Sequence, residues 1–310
     1  MRHLLIILLA SIATSCDDAA DALLVSTNAI TLDAAGREQR VTVHANNPLW
    51  EVIVEADWPV IERDSLDIII TAASNPRRAP RVAHLYIAAG NRFERVTITQ
   101  NGSLHVFGDP YPDANNPVGI IYKVIDGGEH GMILSLDQLD VVPWGPVTDT
   151  HETGPLDGKA NTRAIIAARA GSPTFATDYP AFAWVHEKNG NQLDGEWYIP
   201  SIWELIEMYN FIIGNFSYVI PGGNPPTMQI GNTYRPAHDL VARAAFDAGI
   251  IALGGTPFNF AASLYWSSTE TSATNASALS FNNGTDYMHT NISNYKTYSS
   301  PYFFRAVRAF

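Results

Sequence analysis

The chain has only one cysteine, Cys16, in 310 residues. A single cysteine cannot form an internal disulfide. The chain therefore depends on its hydrophobic cores, and its 46% apolar residues supply enough material for two domains of ordinary size. The missing thiols also exclude chemistry that requires a pair of redox-active cysteines after Cys16.

Basic residues are scarce relative to acidic ones. Lysine and arginine total 19 against 31 aspartates and glutamates, which leaves a formal net charge of −12. A surface of this sign repels phosphate backbones, and no basic stripe in the sequence offsets it. We therefore expect no nucleic-acid partner.

Catalytic and metal-binding motifs are also missing. None of the nine histidines has ligand spacing, and no nucleophile elbow, phosphate loop or dinucleotide fingerprint occurs. Acid pairs such as Glu51 with Glu55 and Glu204 with Glu207 are the weaker alternative, as glycosidase carboxylates. The sequence predicts no enzyme, no catalytic residues, no metal and no cofactor.

No hydrophobic run is long enough to span a bilayer. Leu4–Ala10 is the length of a secretory signal core. The following Ile12–Cys16 resembles a lipoprotein signal box, with Ala13 where leucine is usual, and the resemblance implies acylation of Cys16. Residues 1–16 would then be the signal and 17–22 a tether, whose Asp17-Asp18 resembles the acidic tag of surface-exported lipoproteins. The alternative is an ordinary signal peptide with a chance cysteine.

Residues 23–102 alternate with a period of two, as in Arg40–His44 and Arg95–Gln100. Turn residues separate about seven such runs, a pattern typical of an immunoglobulin-like all-β sandwich. The segment resembles a BACON domain in Trp50, Trp58, residues 75–81 and the ending Val96–Gly102. We interpret this domain as a spacer with its tryptophans in the core; sugar stacking by Trp50 or Trp58 is the alternative.

A turn-rich linker is predicted at 103–117, and an α+β domain at 118–310. A hairpin is expected from Val118–Val124 and Met132–Leu136. Helices are expected at 161–169, capped by Asn161 or Thr162, and at 202–213 and 239–248. Ser201 and Glu204 fit a capping box at the start of the second helix.

Four segments of the second domain resemble one family, the C-type-lectin-like domain of bacterial collagen-like adhesins. They are Trp197–Ser201, Tyr265–Glu270, Phe281–Gly284 and Arg305–Phe310. The resemblance implies an α+β fold related to the formylglycine-generating enzyme, without its oxidation chemistry or a lectin calcium motif. We expect Trp197 and Trp266 to be core anchors, and Arg305 and Arg308 to pair with buried carboxylates or carbonyls.

The stretch 271–304 is crowded with asparagine, serine, threonine and tyrosine, the composition of antibody binding loops. It also resembles the variable region of retroelement-diversified surface proteins, which use the same fold. A solvated polar hairpin is the alternative. The predicted ligand-binding residues are Asn275, Tyr287, His289, Asn291, Asn294, Tyr295, Tyr298 and Tyr302.

Together these patterns predict an exported protein that is lipid-anchored to the outer membrane through Cys16 and exposed at the cell surface. It would bind a protein or glycan ligand, on another cell or in the medium, through its lectin-like domain. Two alternatives are a structural or fimbria-like surface component and a glycan-holding accessory of a polysaccharide-utilisation system.

The lipid anchor can be tested by metabolic labelling with a clickable fatty acid. Wild-type protein should be labelled and recovered with membranes, because several acyl chains hold a protein firmly to a bilayer. Cys16→Ala should be unlabelled and released. Equal labelling of the two proteins would contradict the anchor.

Overall fold

The computed structural model describes residues 22–147, 154–214, 236–260, 264–281, 291–297 and 302–310, with backbone alone at 236–239 and 291–294. Cys16 and the predicted signal lie outside these residues. The chain divides into two compact units, Met1–Gly102 and Ser103–Phe310. The described residues form four sheets and several helices, a sheet-rich α+β arrangement that agrees with the predicted overall class.

The described part of the first unit contains eight strands arranged in two four-stranded sheets. One sheet has the order β1-β3-β6-β5 and the other β2-β8-β7-β4. All pairings are antiparallel except that of β2 with β8. The strands are β1 Leu23–Val25, β2 Ala29–Leu32, β3 Gln39–Ala45, β4 Trp50–Val54, β5 Pro59–Asp64, β6 Asp67–Ala72, β7 Arg81–Ala89 and β8 Arg92–Gln100.

The two sheets share one hydrophobic core, because alternate residues of each strand face inwards. Val41 and Val43 of β3 and Val96 and Ile98 of β8 are fully buried in it. Trp50 is buried in the same core, with the Arg63 guanidinium 3.5 Å from its ring centroid, which confirms the core assignment.

The described part of the second unit contains nine strands, five α-helices and a short 3-10 helix at Asp126–Gly128. Its sheets have the orders β17-β11-β10-β9 and β12-β16-β13-β14-β15. The elements are β9 Pro110–Tyr111, β10 Gly119–Ile125, β11 His130–Ser135, β12 Leu139–Asp140, α1 Gly158–Arg169, α2 Phe175–Asp178, α3 Pro180–Lys188, α4 Ile202–Ile212, α5 Pro236–Ala252, β13 Leu264–Glu270, β14 Asn275–Ser280, β15 Asn291–Tyr295, β16 Tyr302–Phe304 and β17 Val307–Ala309.

The segment predicted as a linker, 103–117, belongs to this second unit. Its strand β9 pairs with β10, and the Phe107 ring centroid lies 5.3 Å from that of Phe246. Tyr111 packs against the C-terminal Phe310 with centroids 4.7 Å apart. The turn residues suggested a linker, but the aromatic side chains between them bury against the domain.

The predicted hairpin is confirmed as β10 and β11, and the three predicted helices are α1, α4 and α5. The predicted cap of α1 is wrong. Asp157 caps it, and its Oδ1 accepts from Ala160 N at 2.8 Å. Asn161 and Thr162 are instead buried inside the helix, where Thr162 Oγ1 donates to the Ile199 carbonyl at 3.2 Å.

The five-stranded sheet lies between two hydrophobic clusters. Tyr265 and Leu279 face a cluster built around α4, whereas Trp266 and Ala278 face another that contains residues of α1 and α3. Both central strands are therefore buried on both faces. Trp197 and Trp266 are 7% and 0% exposed, which confirms their assignment as core anchors.

Of the two C-terminal arginines, Arg305 has the buried carbonyl partners expected for it, whereas Arg308 does not. Arg305 is fully buried and donates to the backbone carbonyls of Ser135, Leu136 and Asp137 at 3.2–3.3 Å. It also donates to the Thr256 carbonyl at 2.7 Å. Arg308 is only partly buried and pairs with the exposed carboxylate of Glu196.

The predicted capping box at the start of α4 is present. Ser201 Oγ accepts from Glu204 N at 3.3 Å, and Glu204 Oε2 accepts from Ser201 N at 2.8 Å. The same Oε2 accepts from Gly158 N at 2.9 Å, and Oε1 accepts from the Tyr198 hydroxyl at 3.0 Å. Glu204 thus joins the starts of α1 and α4, and burial raises the pKa of its carboxyl group.

Two replacements of Glu204 should separate the contribution of its hydrogen bonds from that of its charge. Glu204→Ala should lower the free energy of unfolding by about 2–4 kcal/mol, because buried N–H donors lose their acceptor. Glu204→Gln should cost less. Because the raised pKa favours the protonated folded state, wild-type stability relative to Glu204→Gln should fall as pH rises above about 4. Urea unfolding across pH 4–8 measures the stability losses and their pH dependence. If the difference in unfolding free energy between wild type and Glu204→Gln did not change with pH, the charge effect would be contradicted.

Candidate functional site

The structure brings two predicted ligand residues together at the edge of the five-stranded sheet. Asn275 at the start of β14 and Tyr295 at the end of β15 are directly opposite each other across the strand pair. Tyr295 is 52% exposed, while Asn275 is half-buried and its Oδ1 accepts from Thr274 Oγ1 at 2.6 Å. A phenol ring therefore faces solvent beside an amide.

Two further predicted residues lie on the same edge strand. Asn291 is opposite Leu279, and Asn294 is opposite Ala276, in an antiparallel register that runs without a bulge from Asn275 to Leu279. Tyr287, His289 and Tyr298 lie outside the described residues. We define the tail surface as the sheet edge formed by Asn275 and strand β15, which ends at the exposed Tyr295.

The prediction that Tyr302 is an exposed ligand contact is wrong. It is 4% exposed, and its ring stacks on Trp266 with centroids 4.4 Å apart at an interplanar angle of 18°. The physical reason is its position on β16, which lies between β12 and β13 inside the sheet. Tyrosine suits an exposed loop and an aromatic core equally well, so composition could not separate the two.

A buried ion pair that the sequence reasoning missed lies directly after β15. Lys296 and Glu270 form a salt bridge, and both side chains are 0% exposed. The Lys296 ammonium also lies 4.8 Å from the ring centroid of Trp144. The sequence offered two signals for this pair. Lys296 is a single lysine within a stretch of small polar residues, and Glu270 ends strand β13, which contains Trp266.

The backbone of Lys296 is held as firmly as its side chain. Its N–H donates to the Thr274 carbonyl at 2.9 Å, and its carbonyl accepts from Trp144 N at 2.8 Å and Gly145 N at 3.2 Å. The residue next to Tyr295 is therefore tied to the core from both main chain and side chain. These contacts of Lys296 hold the exposed Tyr295 on a rigid base.

Within the described ranges, no group of three or more histidine, cysteine or acidic side chains is placed to hold a metal ion. None of the helices there has the length and apolar content needed to cross a membrane.

No protein-family model and no curated protein matches the chain. Among solved structures, the NMR structure of a protein from Bacteroides thetaiotaomicron is 16% identical, covers 30% of this chain and 98% of its own, and has a TM-score of 0.24. A Bacteroides ovatus GH5 xyloglucanase is 12% identical, covers 75% of this chain and 62% of its own, and has a TM-score of 0.25. The M1 domain from titin is 5% identical, covers 26% of this chain and 92% of its own, and has a TM-score of 0.22.

Removal of one partner of the buried pair should be more damaging than removal of both. Lys296→Met leaves the Glu270 carboxylate buried without its cation, so the free energy of unfolding should fall by about 3–5 kcal/mol. Lys296→Met combined with Glu270→Leu should recover most of this loss. The exposed Arg163–Asp194 pair is the control, and Arg163→Ala should cost less than about 1 kcal/mol. Urea unfolding of the full chain measures all three; equal losses for the single and double variants would contradict the coupling.

Proposed function

We propose that this protein is an exported, lipid-anchored surface protein that binds a protein or glycan ligand through the tail surface of its second unit. In this proposal the first unit is an immunoglobulin-like sandwich of the BACON type and acts as a spacer. The second unit is a C-type-lectin-like domain, and Cys16 is the lipid attachment point on the outer membrane.

Support for the two domain assignments comes from their cores and topologies. In the first unit, two four-stranded sheets enclose one core that contains Trp50. In the second, the C-terminal strand β17 returns to pair with β11, and Trp266 is buried at the centre of the other sheet. Both arrangements agree with the resemblances carried by the sequence motifs.

The observation that carries the binding proposal is the exposed Tyr295 beside the buried Lys296. An exposed tyrosine offers a large contact area with few rotatable bonds, and a rigid base lowers the entropy lost on binding. The side chain is 52% exposed although its neighbour is 0% exposed. If the stretch around it is diversified by a retroelement, this geometry allows surface residues to vary while Lys296 and Tyr302 keep the fold.

The edge position of β15 favours a second candidate, a structural surface component. Among the described residues β15 pairs on one side only, with β14. Its sequence, Asn-Ile-Ser-Asn-Tyr, has neither a proline nor a charged residue that would block the pairing of another strand. Strand addition from a neighbouring subunit would use this edge, and sedimentation of the purified protein would detect it as concentration-dependent assembly.

Substitution at the tail surface tests the binding proposal. Tyr295→Ala should weaken capture of a ligand found by glycan array or cell-surface pull-down by about thirtyfold or more, because truncation of a hot-spot tyrosine costs about 2 kcal/mol or more. Phe93→Ala is the matched control, since it removes a 73% exposed aromatic ring from the first unit. It should leave capture unchanged.

Two outcomes would contradict this assignment. Capture that survives Tyr295→Ala but is lost with Trp58→Ala, whose ring is only partly buried, would move binding to the first unit. Absence of any ligand, together with concentration-dependent assembly, would favour the structural role.

A further inference from the structure

A cleft of about 410 Å³ opens on the second unit, and its lining residues include none of those that define the tail surface. Its lining includes Val118 before β10, Asp137 after β11, Lys188 at the end of α3, Trp197 and the loop Gly254–Thr256. Five separate segments of the chain therefore meet around one opening, whose volume falls in the range of small-molecule sites.

The walls of this cleft are held in place by the buried Arg305. Its guanidinium donates to the Leu136 and Asp137 carbonyls on one wall and to the Thr256 carbonyl on the other. Thr256 N also donates directly to the Leu136 carbonyl at 2.8 Å. These bonds join two walls that come from distant parts of the chain, so the cleft is formed before any ligand arrives.

The charged groups among the described lining residues of the cleft are one carboxylate and one ammonium, which are in contact. Lys188 Nζ lies 2.7 Å from Asp137 Oδ1, and the side chains are 19% and 51% exposed. Lys188 Nζ donates to Asp137 Oδ1, and among the described residues Asp137 Oδ2 accepts no hydrogen bond. Acceptor and donor capacity therefore lie side by side at the opening.

The ammonium is also fixed from behind by aromatic rings. It lies 4.9 Å from the ring centroid of Trp197 and 5.6 Å from that of Trp184. Beside the pair, Val118 is 42% exposed and presents an apolar surface to the opening. The cleft thus combines a rigid charge pair with a small apolar wall.

We propose that this cleft binds a neutral saccharide through two adjacent hydroxyl groups. One hydroxyl donates to the Asp137 carboxylate and its neighbour accepts from the Lys188 ammonium, while a C–H face of the sugar packs on Val118. The two side-chain charges cancel, so a charged ligand would break the pair in order to bind. The site uses none of the tail-surface residues and goes beyond the binding proposed for that surface.

The test uses the full chain and a fixed panel of neutral hexaoses with glucose, xylose, mannose or galactose units, followed by titration calorimetry. At least one should bind wild-type protein. Asp137→Ala should weaken that binding by about tenfold or more, because hydrogen bonds to a charged group are lost. Its backbone carbonyl, which holds Arg305, is retained in this variant.

Asp194→Ala is the matched control, because it also breaks an ion pair, Arg163–Asp194, on the surface of the same unit. It should bind as wild type does. Val118→Trp should also abolish binding by filling the cleft at an exposed position. Circular dichroism and urea unfolding verify that each variant is folded.

The outcomes separate this site from the tail surface. Tyr295→Ala should bind the hexaose as wild type does, even if it loses the ligand of the tail surface. The saccharide site is overturned if no panel member binds wild-type protein, if Asp137→Ala binds normally, or if Tyr295→Ala rather than Asp137→Ala abolishes hexaose binding. Stronger binding of oligogalacturonate or of chitosan oligomers than of every neutral hexaose would also overturn it.

Discussion

Lys296 and Glu270 bring two opposite charges into a region from which water is excluded, and the last strands of the second unit are arranged around them. Isolated charges at such a site would be very costly, so each side chain requires the other. The requirement sets the position of the chain immediately after β15. It also explains how a segment of small polar residues, with little apolar surface of its own, is attached to a packed domain.

The same device recurs elsewhere in the second unit. Glu204 accepts from the starts of two helices, and Arg305 donates to carbonyls from two distant segments. In each case one buried charged group satisfies several backbone groups that would otherwise lack partners. Such buried charged groups fix the relative positions of distant segments in a domain that cannot form disulfides. Both the tail surface and the cleft are therefore attached to rigid parts of the second unit.

Features of the fold with local causes could be predicted from the sequence, whereas those set by distant residues could not. The capping box of α4 and the strands of the first unit were predictable because their partners lie within a few residues, or repeat with a period of two. The burial of Trp266 followed from a motif, and the cap of α1 failed because Asp157 and Asn161 offer similar local signals.

The sequence by itself determined the α+β class, the boundary at Gly102, the capping box and the polar character of the tail. Only the tertiary structure decided that Tyr302 is buried while Tyr295 is exposed, and that Asp137, Lys188 and Trp197 line one cleft. The physical reason is the range of the interactions. Capping bonds and strand alternation act between near neighbours, whereas burial of a tyrosine depends on which distant strand pairs beside it.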